Sequence, residues 1–203
     1  MRWLVAGLIL AVSTACESRS PDEMYLDKLA AARVTKEELF KGGESPVKPE
    51  DREKYLPLNY FAPDVNYAVP AQFREATERT FVKMPTSTGK IRDMERVGQL
   101  EFTLRGQKMT LAAFVDGGTE RIARLFVPFS DLTSGTETYQ AGRYMDLDPE
   151  GSGVYIVDFN VAYHPYCYYN AEYDCPFPPA ENRLQTPVRA GERLRTADRT
   201  LAR

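Results

Sequence analysis

Two adjacent segments constrain this chain more than any other feature. Val97 to Leu104 alternates strictly, with Leu100, Phe102 and Leu104 on one side and Gln99, Glu101 and Thr103 on the other. Gln107 to Val115 repeats the pattern with Met109, Leu111, Ala113 and Val115. Side chains of an extended chain point to opposite faces at period two, so each segment reads as a strand with one buried face. Only Arg105 and Gly106 separate them, which predicts a two-residue hairpin connection. Neither segment can be recast as a helix without putting its apolar residues all around the cylinder.

The neighbouring sequence extends this hairpin into a meander. Thr80 to Met84 is a short strand candidate followed by a turn at Thr88-Gly89-Lys90. Asp116-Gly117-Gly118 is another turn, and Ile122 to Phe129 a third, more continuously apolar strand, interrupted by Arg124 and ended around Pro128. Arg143 to Leu147 and Gly153 to Tyr163 add two more, joined through Asp148-Pro149-Glu150-Gly151. Strands spaced near ten residues predict a mainly β, antiparallel domain of barrel-like or sandwich form, closed by a long C-terminal loop region. The 12 Tyr, 10 Phe, 14 Pro and 13 Gly suit strands and tight turns better than a helical bundle. Ahead of the strands, Asp22 to Lys41 is rich in Glu, Lys, Leu and Ala, and Thr35-Lys36-Glu37-Glu38 places an acid three residues after a candidate cap. One or two helices are expected there, ended by Gly42-Gly43; residues 44–72 read as irregular structure laid on the core.

The first sixteen residues set the compartment. Arg2 supplies positive charge, Trp3 to Val12 is an apolar run, and Ser13-Thr14-Ala15 are small residues before Cys16. This is the pattern of an export signal, too short to span a bilayer, which needs roughly 20 apolar residues. The segment resembles a lipoprotein signal in which Cys16 becomes the lipidated N-terminus, although Ser13 stands where Leu is commoner. Two other readings are ordinary cleavage after Ala15 and an uncleaved apolar start. Lipidation also leaves Cys167 and Cys175 as an even pair. The expected organisation is a signal over residues 1–16, a polar tether over 17–22 and one domain over 23–203, anchored by its lipid at the periplasmic side of a bacterial membrane. Without the signal the chain holds 25 basic against 29 acidic residues. No basic surplus is available to draw affinity from phosphate neutralisation, so nucleic acid is not an expected partner.

The residues after Thr133 carry a signature: Thr133-Ser134-Gly135-Thr136-Glu137-Thr138-Tyr139, Ala141-Gly142-Arg143-Tyr144, Asp158-Phe159-Asn160, and Cys175 through Leu184. This resembles the family called domain of unknown function 1684, over about Tyr55 to Glu192. The resemblance implies no activity. Where the family pattern has Asn, this chain has His164, so a role requiring imidazole would not be general to the family.

Read physically, Asp158 and Asn160 interrupt an apolar face of the last strand, and a carboxylate there needs a donor such as Arg143 or Arg183. One outcome is a buried ion pair pinning the strand. The other is a polar pocket in which Arg143, Asp158, Asn160, Tyr163, Glu181, Asn182 and Arg183 converge on a small ligand. Cys167 and Cys175, with seven residues between them in a Tyr- and Pro-rich loop, read as a disulfide. The alternative is zinc held by His164, Cys167 and Cys175, with Asp158 a fourth ligand. No cofactor is favoured. No nucleophile elbow, phosphate loop or dinucleotide fingerprint is present. The leading expectation is a binding protein for a small ligand or an envelope partner; the rivals are a hydrolase-like enzyme using Asp158 or Glu181 beside an arginine clamp, and a structural assembly lipoprotein.

Overall fold

The computed structural model describes residues 19–119, 122, 124–150 and 154–195. Cys16 and the rest of the expected signal lie outside the described residues, as do Gly151 and Gly153 at the start of the last expected strand. One helix, α1 (Pro21–Lys41), precedes a short helix α2 (Arg52–Tyr55) and six strands: β1 (Ala68–Pro85), β2 (Ile91–Leu104), β3 (Gln107–Asp116), β4 (Leu125–Phe129), β5 (Arg143–Leu147) and β6 (Tyr155–Asp158).

The strands form a single antiparallel sheet in the order β5-β4-β3-β2-β1-β6. Its two edges meet at an antiparallel bridge, where Tyr144 and Tyr163 exchange backbone hydrogen bonds of 2.9 and 3.0 Å. The sheet is therefore a nearly closed barrel. The expected hairpin is present in register, Leu104 opposite Gln107, with φ of 50° at Arg105 and 78° at Gly106. Two successive positive φ values are what a two-residue turn requires to match the twist of its strands. Val97, Leu100, Leu111, Val127, Met145, Val157 and Phe159 are fully enclosed and fill the barrel.

Three expectations are corrected. β1 is far longer than Thr80 to Met84 and takes in residues 68–72, expected to be irregular; its charged, bulged middle between Glu75 and Thr80 hides the alternation. The last strand stops at Asp158 instead of running to Tyr163, because Phe159–Val161 forms a 3-10 turn capped by the Asp158 side chain, which accepts from the Asn160 amide. The candidate cap at Thr35 is not one: α1 is the single helix of an expected one or two, Ser20 and Glu23 form its capping box, and Thr35 is mid-helix, its hydroxyl bonded to the Ala31 carbonyl.

Within β3, Ala112 and Phe114 are buried as well as Leu111, Ala113 and Val115. The outer face of the barrel is covered here by Met84, Met94 and Phe126 and, beyond them, by the loop carrying both cysteines. This second layer positions the site.

Candidate functional site

The constellation expected from sequence does not assemble. Arg143 is fully buried, and its partner is Asp131 at 2.9 Å, not Asp158. Its terminal nitrogens also donate to the backbone carbonyls of Val188, Ala190 and Glu192, while its buried Nε has no hydrogen-bond partner. Burial pulls the guanidinium pKa down, opposed by Asp131. Asp158 is half-buried and is satisfied by neutral donors: the Tyr25 hydroxyl of α1 at 2.8 Å, and the Asn160 amide and side chain. Asn160 in turn exchanges hydrogen bonds with the Asp64 backbone. Glu181 is exposed and forms a salt bridge with Arg96 of β2, while Arg183 is exposed beside the Ser130 bridge.

Asn182 has a purely structural task. Phe114 of β3 pairs with Phe126 of β4, but the next antiparallel pairing, Ala112 with Pro128, is not made. The buried Asn182 side chain occupies that gap. Its oxygen accepts from the Ala112 amide at 2.7 Å, and its nitrogen donates to the Ala112 and Pro128 carbonyls at 2.9 and 2.7 Å. Arg143 and Asn182 thus act as rivets between barrel and C-terminal segment, through buried polar groups paired with backbone.

The zinc ligand set also fails to assemble: among the described residues no group of three or more His, Cys, Asp and Glu stands close enough to hold a metal ion. His164 is buried, its Nε2 accepting from the Tyr139 amide at 3.3 Å and its Nδ1 lying 3.8 Å from Glu192. Burial, reinforced by Arg143 and Lys36, drives its pKa down to about 3, so the ring is neutral. The expected disulfide is not formed; Cys167 and Cys175 are free, buried thiols.

What the fold builds instead is a groove of about 1040 Å³ on the outer face of the barrel, between α1, the ends of β2 to β5 and the cysteine loop. Of the residues singled out in the sequence, Tyr163 and Cys175 line it. Its walls are mainly aromatic and apolar: Leu39 and Phe40 from α1, Met94, Phe126 and Tyr144 from the strands, Tyr166 and Tyr173 from the loop. Charged side chains also line it: Lys36, Arg92, Asp116, Arg124, Asp146 and Asp174. Tyr163 donates to Asp146 at 2.6 Å, and burial, then that carboxylate, raises its pKa. Lys36 reaches in from α1, its ammonium 4.8 Å from the centre of the Tyr163 ring and 2.6 Å from Glu192.

Glu192 is the buried anchor of this corner. It accepts from the His164 amide at 2.6 Å and from the Tyr169 hydroxyl at 2.9 Å as well as pairing with Lys36. Burial pushes its carboxyl up, yet Lys36 and His164 outweigh this and hold the pKa below the usual value. Gly191, at φ of 76°, makes the arrangement feasible, since a Cβ there would lie 2.5 Å from the Ala162 carbonyl oxygen. Lys36, Phe126 and Glu192 were not singled out by sequence reasoning. The one usable signal was the Tyr-rich loop around the cysteines, of which Tyr166 and Tyr173 line the groove and Tyr169 is buried.

Residues 53–193 match the profile of a family described as Protein of unknown function (DUF1684). The chain belongs to this family. The DUF1684 match begins after α1, so the helix forming one side of the groove lies outside it. A similar solved structure is the solution NMR structure of an uncharacterized protein from gene locus rrnAC0354 of Haloarcula marismortui, 37% identical, with a TM-score of 0.67, covering 85% of this chain and 95% of that one. No curated protein matches the DUF1684 chain. No helix of the described residues is long and apolar enough to cross a membrane.

Proposed function

We propose that this protein is a lipid-anchored envelope protein that binds a small, ring-bearing ligand in the groove between α1 and the cysteine loop. The observation that carries the reading is the convergence of aromatic side chains from three separate segments on one open cleft. Tyr166 and Tyr173 keep 38% and 36% of their surface exposed there, although the loop around them is tightly packed. Ligand sites are concave, mostly apolar and of roughly 300–1,000 Å³, with a few placed polar groups; the groove matches that description in size and in its apolar walls. Asp146 and Lys36 supply hydrogen-bond acceptor and cation at its floor. Asp158 and Glu181 contact different elements, Tyr25 of α1 and Arg96 of β2, which removes the support for a shared acid–base site.

The test uses 1-anilinonaphthalene-8-sulfonate as an aromatic probe. Saturable one-site binding is expected, weakened about ten-fold or more in the Tyr166→Ala/Tyr173→Ala double variant, since each aromatic contact contributes on the order of 1 kcal/mol. Binding that does not saturate, or that the double variant leaves unchanged, sinks the assignment.

A further inference from the structure

We propose that Cys167 and Cys175 form a redox-active dithiol that exchanges with small-molecule thiols and disulfides through the groove, with Cys175 as the sulfur reached from outside. This does not depend on the groove's ligand.

The two sulfurs are already neighbours. The Cys167 amide donates to Cys175 Sγ at 3.3 Å, and each thiol shifts the titration of the other. Neither backbone needs a covalent bond to stay in place. Cys175 is fixed to the turn between β1 and β2 through its amide, which donates to Ser87 Oγ at 3.0 Å, and its carbonyl, which accepts from the Ser87 amide at 3.0 Å. On either side, Thr86 bridges Pro176 and the Phe177 amide donates to Pro85. Cys167 sits in the 3-10 turn Tyr166–Tyr168, closed by its own backbone bonds to Pro165 and Tyr166. A pair held this firmly as thiols does not need its S–S bond to keep the loop in place, unlike a staple whose loop depends on it.

The surroundings favour the reduced form. The neighbouring Cys175 thiol brings the Cys167 pKa down to about 7 against the opposing effect of burial, while Cys167 and burial push Cys175 up. Stabilising the reduced state makes the corresponding disulfide more readily reduced. Access and leaving ability are divided between the sulfurs. Cys175 is among the residues lining the groove and Cys167 is not, although both pack with Tyr144 and are similarly buried. In reduction, an external thiolate attacks Cys175 Sγ, a mixed disulfide forms there, and the S–S bond breaks to release Cys167 as the stabilised thiolate. A second external thiolate then attacks the outer sulfur of the mixed disulfide. It leaves as the small-molecule disulfide, and Cys175 takes up a proton. Oxidation is the reverse, consuming one small-molecule disulfide and yielding two thiols.

The experiment equilibrates the full chain carrying Cys16→Ser, so that only these sulfurs are counted, in native buffers of varied reduced-to-oxidised glutathione ratio. Acid quenching, alkylation and intact mass give the oxidised fraction. It is expected to follow the ratio and to return on dilution into reduced glutathione. In single variants, the Cys167→Ser chain is expected to form a mixed disulfide with glutathione on Cys175 in the native state, since Cys175 lines the groove. A disulfide that yields only in denaturant identifies a static staple and overturns the proposal. So does a pair that stays reduced at every ratio, and so does a folded Cys167→Ser chain whose Cys175 takes up no glutathione. Near-UV circular dichroism accompanies each variant; if a single variant does not fold, the titration of the two-cysteine chain decides.

Discussion

Asn182 completes hydrogen bonding where the barrel cannot, between Ala112 and a proline that has no amide to give. Removing its amide leaves an Ala112 amide and two carbonyls buried without partners, each worth about 1–3 kcal/mol. Asn182→Ala is therefore expected to lower unfolding free energy by about 3 kcal/mol or more. Asn182→Asp, of the same shape, is expected to be no milder, since it sets a carboxylate against two carbonyl oxygens; urea unfolding of both variants checks this. His164 gives a second, pH-resolved expectation. Its folded pKa of about 3 lies below the 6.5 of an ordinary histidine, so the unfolded chain binds the extra proton and stability falls with acidification below about pH 6.5. The loss from this group between pH 6.5 and 5 is about 1.5 kcal/mol. His164→Asn keeps an acceptor for the Tyr139 amide without a titrating ring, and its unfolding free energy should be flatter over that interval. An unchanged slope would place the acid sensitivity elsewhere.

α1 is held to the barrel mostly by polar contacts. Only Leu29 and Phe40 of its 21 residues are buried, while Tyr25, Arg33, Lys36 and Glu37 each reach a partner on the domain. A helix attached in this way, with little apolar area removed from water, belongs to the parts of a fold that open first. Lys36 matters most, because its partner Glu192 is almost wholly enclosed while Lys36 itself is about one quarter exposed. Lys36→Met strands a buried carboxylate and is expected to destabilise the chain by about 2–3 kcal/mol at pH 7, less than for a fully enclosed pair. The deficit relative to the parent should narrow towards pH 5, since a protonated Glu192 needs no counter-charge. Chemical denaturation at the two pH values measures it, and a deficit independent of pH would mean that lost packing on Tyr163 and Phe40 dominates.

Across the whole molecule, the barrel closes through one bridge, Tyr144 to Tyr163, and the C-terminal segment is clamped by the Arg143–Asp131 pair. The groove lies on the outside of that seam, where helix, strands and cysteine loop meet. The tether proposed from Cys16 would hold this domain close to a membrane surface. Expressed in a bacterial host, the full chain is expected to partition into the detergent phase of a Triton X-114 separation and the Cys16→Ser chain into the aqueous phase. Equal partitioning of the two would remove the anchor from the proposal.

Local pattern settled what local physics governs. Alternation over Val97 to Val115 and the Arg105-Gly106 connection determine a hairpin without outside help, because period two and positive φ are properties of neighbouring residues. The same pattern announced a mainly β domain, and the signature from Thr133 onward announced its family. Where the strands end was less legible: Asp158 looked like an interruption in a face, and is the cap that ends the strand. Which polar residue meets which was decided by the tertiary structure alone. Arg143 chose Asp131 over Asp158, Glu192 found Lys36 across the barrel's rim, and Asn182 found Ala112, all pairings set by chain closure and not by spacing. A buried charge or amide takes the partner that the packed backbone brings within about 3 Å, and sequence separation carries no record of that distance.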